Sequence, residues 1–306
     1  MLLYKRKDTP PYQRDGIGGM IFNGLNILFM FGIMFAMIYP FWSQMILSLN
    51  EGHDAAKGGL YWWPRKFTLD NYRYMFSRSY LLNGAFMSIA RVSVGTITHL
   101  ICSGLLAYIT TVRGFSGRRF IRIAFLATMY FSGGMIPGYL LIVNLGLMNS
   151  FTVYWLPGLF SAYSMLLIAS YIYGLPDELI ESARIDGAGD MRICFQIVMP
   201  LCKPVIAAVA IMTAVGHWNS WFDILIYNPG GDFDTLTMYL RRILLNAEEA
   251  NRLAAEGRAG AEVMQNLTIR SMRAATTMIV TLPIIFIYPF FQRYFVRGIT
   301  IGAVKG

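Results

Sequence analysis

Acids, bases, nucleophiles and soft ligands do chemistry only when spacing holds them together, and in this chain of 306 residues they are scattered. His53, His99 and His217 stand far apart, and carboxylates are nearly absent from the apolar stretches. Cys102, Cys194 and Cys202 lack the close spacing of a zinc site or a disulfide framework. No G-x4-G-K-[ST] phosphate loop occurs, so ATP, if it drives this protein, is bound elsewhere. No catalytic residue, metal site or cofactor of this chain's own is expected. One group, His217, Trp218, Asn219, Trp221 and Asp223, sets aromatic rings among hydrogen-bonding neighbours. That is what a sugar path needs, because CH faces stack and hydroxyls find partners. The aromatic belt of a membrane interface explains Trp and Tyr there equally well.

The second polar concentration is PDELIESARIDGAGDMRICFQIVMP, Pro176 to Pro200, set between two apolar stretches. Pro176 suits a first helical position, since it lacks an N–H and its φ is already helical. Asp177 and Glu178 follow, facing the positive end of the helix dipole. Leu179, Ile180 and Ala183 share a face. Asp186-Gly187 ends the helix, because glycine accepts the left-handed geometry of a terminating turn. From Gly189 a second short helix puts Met191, Cys194, Phe195, Val198 and Met199 on one stripe. The expected product is helix, glycine elbow, helix, on one membrane face.

The elements that must carry these groups are membrane spans. Hydrophobic residues make up 56% and charged residues 14%, against about 25% charged in soluble domains. The net charge of +9 is strung along loops, without the clustered basic face that a nucleic-acid partner needs. No charge occurs from Gly16 to Asn50, far beyond a signal peptide's apolar core of roughly 7–15 residues. This is read as an uncleaved first span, Met20 to Leu47. The second lies within Leu81–Val112, and its 32 residues would reach about 48 Å against a hydrocarbon core near 30 Å. Arg91 within it is expected near the outer leaflet in a structural role.

From Ile123 to Pro176 no charge occurs, enough for two spans joined near Gly146–Ser150. Pro137 and Gly138 would break the third, and Pro157 and Gly158 open the fourth. Pro204–Tyr227 is the fifth and Met272–Tyr294 the sixth. Residues 1–19 and 295–306 are tails around a six-helix domain at 20–294. The domain has a central loop at 174–203 and an outer loop at 228–271, helical at 247–262. With both tails cytosolic, inner segments carry fourteen Lys/Arg against seven acids, and outer segments eleven against nine. Arg113, Arg118, Arg119 and Arg122, clustered in a short loop, mark the cytosolic side most strongly.

Glu181, Ala183, Asp186, Gly187, Ala188, Phe195 and Pro200 resemble the E-A-A-x-x-D-G-A-x6-F-x4-P pattern of ABC-importer permeases. Ser182 departs from that pattern's second Ala and is small enough to replace it. FTLDNYRYMF at 67–76 is similar to the segment preceding the second span of carbohydrate-importer permeases, and YFVRGITIGAVKG at 294–306 to the C-terminal signature of the MalG-like subunit. The resemblance thus runs from end to end. It implies an all-α fold of six transmembrane helices, the MetI-like permease type, in a bacterial cell membrane. It implies a homologous permease, two ATPase subunits holding ATP and Mg, and an extracytoplasmic substrate-binding protein. Residues 177–200 would dock on the ATPase. The outer loop would reach the binding protein, and the tail would sit between the ATPases. The long outer loop resembles the LplC/YtcP-like branch, which implies an oligosaccharide or polysaccharide fragment as substrate.

Two other classes compete. A proton-coupled secondary transporter would bury acids or histidines as relays, and only Arg91, His99, His217 and Asp223 approach membrane depth. A membrane-embedded hydrolase would need paired carboxylates or a nucleophile with its base, and the sequence holds neither.

Overall fold

The computed structural model describes residues 17–77, 79–255, 270–287 and 289. Every regular element among them is helical, apart from one antiparallel bridge between Asn50 and Phe67. The tails 1–16 and 295–306, the end of the sixth span and the outer-loop residues 256–269 lie outside the described residues.

The first helix, α1 (Ile17–Ser48), is apolar all round, and none of its most apolar stretch is buried by the rest of the chain. Such a surface belongs in lipid or against another membrane protein. Two short helices follow, α2 (Gly52–Ala56) and α3 (Asp70–Phe76). They are pinned to α1 by Asn71, whose amide donates to the carbonyls of Ser48 and Asn50 at 2.9 and 3.0 Å. α4 (Ser79–Thr111) is an unbroken 33-residue helix and forms the spine of the fold.

The third span is α5 (Arg118–Tyr130) and α6 (Met135–Asn144), bent by 118°. The bend falls at Phe131–Gly134, where Gly134 has φ +85°, and not at the expected Pro137–Gly138. Pro137 is the third residue of α6. Its missing N–H is one of the four that no helix start can satisfy, so it sits there without breaking anything. The expected joint between spans three and four is present, with left-handed Gly146 and Asn149. The fourth span is a pair of 3-10 turns over Phe151–Gly158, followed after a break by α7 (Ala162–Ile172).

The central loop forms α8 (Asp177–Ile185) and α9 (Asp190–Leu201). α10 (Lys203–Asn219) is the fifth span's long piece. It ends at Ser220, which is extended, and α11 (Phe222–Tyr227) continues beyond it. The expected continuous fifth span is therefore interrupted. α12 (Leu236–Ala255) runs through the first part of the stretch expected to be helical, and the remainder lies outside the described residues. α13 (Arg270–Ile287) is the described part of the sixth span.

Among the described residues, three helices are long and apolar enough to cross a bilayer, and the bent pairs raise the count to as many as six. The main core joins α4, α7 and α10 to the central loop. Leu106, Met165, Ile168, Ile193, Val198 and Val205 are all buried in it. Small residues let these helices approach closely. A side chain on Gly104, for instance, would press on the Met199 sulfur at 3.2 Å.

Candidate functional site

The central loop is the first candidate. Its elbow is a Schellman turn, with Gly187 at φ +78°. The Ala188 N–H reaches back to the Ala183 carbonyl at 2.9 Å, and the Gly187 N–H to Arg184 at 3.0 Å. Ala183 and Ala188 are both set against the core, where larger side chains would hold the loop away. Pro176 caps α8 from just outside, with ψ 128°, one position earlier than expected.

α9 corrects the expected stripe. Its middle, Ile193–Val198, is a π-helical turn, so the chain closes i to i+5 bonds instead of i to i+4. That widening brings Ile193 into line with Cys194 and Val198, and all three are fully buried. Met191 and Phe195, placed on the buried stripe by a 3.6-residue period, are instead 63% and 44% exposed. Leu179, expected on α8's inner face with Ala183, is exposed as well. Glu181 and Asp186 are exposed beside it. The loop thus buries one apolar face and presents a second, Leu179, Ile185, Met191 and Phe195, with acidic groups among them.

Struts hold the loop to the spans. Arg113 forms an ion pair with Asp177 at the start of α8. The Tyr108 hydroxyl donates to Asp190 at 3.4 Å, and Arg184 pairs with the same carboxylate at 3.2 Å. Arg122 donates to the Thr110 carbonyl at 2.8 Å and to the Tyr173 hydroxyl. Two members of the arginine cluster therefore brace the ends of α4 and α7 around the loop.

The second candidate, in the fifth span, does not form one surface. His217 lies against α4, so close that a Cβ on Gly95 would come within 2.7 Å of its Cε1. Trp218 turns the other way and donates from its indole to the Val280 carbonyl at 3.0 Å. Asn219 is exposed. Trp221 lies under the Arg241 guanidinium, 4.8 Å from its centroid. Aromatic groups here mostly bind protein.

What the structure does assemble is a buried ion pair that sequence reasoning left as separate residues. Arg91 is 3% exposed, so it faces the bundle interior, not the lipid. Its guanidinium grips both oxygens of Asp223 and stacks on Tyr154, 4.9 Å from the ring centre. Ser220 donates to the same carboxylate at 2.6 Å. Close by, His99 bridges the Gly158 carbonyl at 2.7 Å and the Ser164 hydroxyl at 2.9 Å. The available signal was charge isolation: a lone cation and a lone anion in apolar spans are each too costly to stand unpaired.

A helical bundle with broken spans and an amphipathic loop braced beneath it defines a polytopic membrane permease. Comparison with known proteins gives the family. The model for the binding-protein-dependent transport system inner membrane component matches residues 100–301, and the chain belongs to that family. It is a transporter subunit and not an enzyme.

Protein LplC of Bacillus subtilis (strain 168) is 35% identical over 94% of this chain and 96% of its own. The polygalacturonan/rhamnogalacturonan transport system permease protein YtcP of the same organism is 30% identical over 92% and 97%. A chain from the crystal structure of a bacterial ABC transporter involved in the import of the acidic polysaccharide alginate superposes with a TM-score of 0.82. It is 23% identical and covers 94% of this chain and 100% of that one, so it supports the fold.

Proposed function

We propose that this chain is one permease subunit of an ATP-driven carbohydrate importer and that it couples to its ATPase through the central loop. The carrying observation is the second, exposed apolar face of that loop. Leu179, Ile185, Met191 and Phe195 crown a segment already braced to three spans, and nothing among the described residues covers them. Glu181, Asp186 and the Gly187 elbow shape the same surface, while Ala183 and Ala188 seat it. The partners are a homologous permease, two ATPase subunits carrying ATP and Mg, and an extracytoplasmic substrate-binding protein. Both termini lie in the cytosol. The sugar class rests on the relatives, and the substrate is read as an oligosaccharide or polysaccharide fragment.

ATP-driven closure of the ATPases would move the docked loop, and its struts would carry that motion into α4 and α7. The test is capture of the ATPase by the affinity-tagged permease pair, beside ATP-dependent uptake in membrane vesicles. Phe195→Ala and Glu181→Lys should each reduce capture several-fold while the protein still inserts. Normal capture and uptake by both variants would defeat the reading.

A further inference from the structure

The spine α4 carries a stripe of small and polar residues, Gly84, Ser88, Arg91, Gly95, His99 and Ser103, all buried and three or four apart. Its members meet the rest of the chain where helices stop. Ser88 accepts the Leu236 N–H at 2.9 Å, at the start of α12. Arg91 takes Asp223 beyond the break at Ser220, and His99 takes Gly158 at the break before α7. A break in a membrane frees backbone groups, and protein must cover them. Covering a break also decides how its far side is aimed.

We propose that Arg91 and Asp223 are positioning residues for transport: their ion pair latches the short outer piece of the fifth span to the spine. The two partners differ in rigidity. Arg91 lies midway along an unbroken helix, whereas Asp223 belongs to a six-residue helix hinged at Ser220. Asp223 is a quarter exposed, Arg91 hardly at all, so the pair opens from the Asp223 side. Among the described residues the Arg91 Nε is buried without a hydrogen-bond partner, so only the two terminal nitrogens of the guanidinium hold the Asp223 carboxylate. A buried pair of this kind adds little net stability over well-packed apolar residues, and setting one arrangement of a two-state element is its best-attested use. Released, α11 would swing about Ser220 and carry Trp221 with it, opening the outer end of the span.

The inference rests on the importer reading, which wild-type ATPase capture tests separately. The experiment uses the complete importer in vesicles, with and without loaded binding protein. Asp223→Asn and Arg91→Gln should lower uptake at least tenfold while ATPase capture persists. ATP hydrolysis without binding protein should rise several-fold, because the latch no longer holds the resting arrangement. Arg91→Lys, which keeps the charge but loses the two-pronged grip, should retain part of the uptake. The double variant Arg91→Met/Asp223→Leu removes both charges at similar volume and tests the latch even where a single variant fails to accumulate. It should accumulate normally yet hydrolyse ATP without binding protein. Wild-type uptake by the double variant, with hydrolysis still dependent on loaded binding protein, would overturn the proposal. It would leave the pair a packing feature.

Discussion

Gly187 shows how much can rest on one missing side chain. Among the described residues, its own chain neighbours aside, no atom lies within 4 Å of where its Cβ would be, so the requirement there is one of backbone geometry. A β-branched residue held at left-handed φ costs roughly 1–2 kcal/mol. The penalty falls on two short helices that could not persist alone in water. Gly187→Val should therefore misplace the loop and weaken ATPase capture, although all spans insert. Asn visits the left-handed region more easily, so Gly187→Asn should fall between Gly and Val. Capture and uptake measured across the three residues check the order. Equal capture by the valine variant would show that the turn tolerates another geometry.

At the scale of elements, the segment between α1 and α4 behaves as a clasp. Asn71 joins the end of α1 to Ser271 of α13, whose hydroxyl donates to Asn71 Oδ1 at 3.0 Å. Around it Asn50 donates to Asp54 at 3.0 Å, and Arg65 pairs with the same carboxylate at 2.9 Å. Asn71→Ala would strand buried carbonyls at about 1–3 kcal/mol and should lower the melting temperature of the detergent-solubilised protein. The Asn50 amide, and then Arg65, hold the Asp54 carboxyl below its ordinary 3.8. A depressed carboxyl contributes its stabilisation above the unfolded value and loses it as pH falls through the folded one. The clasp should thus be indifferent to pH above about 4 and loosen only in stronger acid. Asp54→Asn should abolish that acid step in a melting-temperature profile.

Elements differ in how far they could be read from sequence. The Gly187 elbow was legible because one residue type meets one backbone need. The faces of α9 were not, since a π turn changes the period on which such readings depend. The bend of the third span was read at Pro137 because proline breaks helices in their interiors, yet a helix that begins two residues earlier removes the objection. Arg91 and Asp223 were visible one at a time. Their pairing spans 132 residues of chain and needed the packing of α4 against α10 to bring them together.

For the whole molecule, the sharp bend of 118° in the third span raises a question that the fold answers. A bend of that size also suits a loop that dips into the membrane and returns to the same side. Contacts at its two ends argue against return. At the beginning, Arg122 binds Thr110 and Tyr173 beside the central loop. At the far end, the Asn149 N–H donates to the Tyr227 carbonyl at 2.8 Å, and its side chain accepts the Gly230 N–H at 3.0 Å. Tyr227 ends α11 and Gly230 lies just past it, at the end of the fifth span away from the central loop. We infer that spans three and four each cross, an arrangement with Arg119 and Met191 on one side and Lys57 and Asp232 on the other. Single cysteines at these exposed positions, probed with an impermeant thiol reagent, should divide in that way. Residues 119 and 191 should react only in inside-out vesicles, and residues 57 and 232 only from outside. If 119 still reacts only in inside-out vesicles but 191 reacts from outside and 232 from inside, the third span is a re-entrant loop, and the parity of every later span inverts with it.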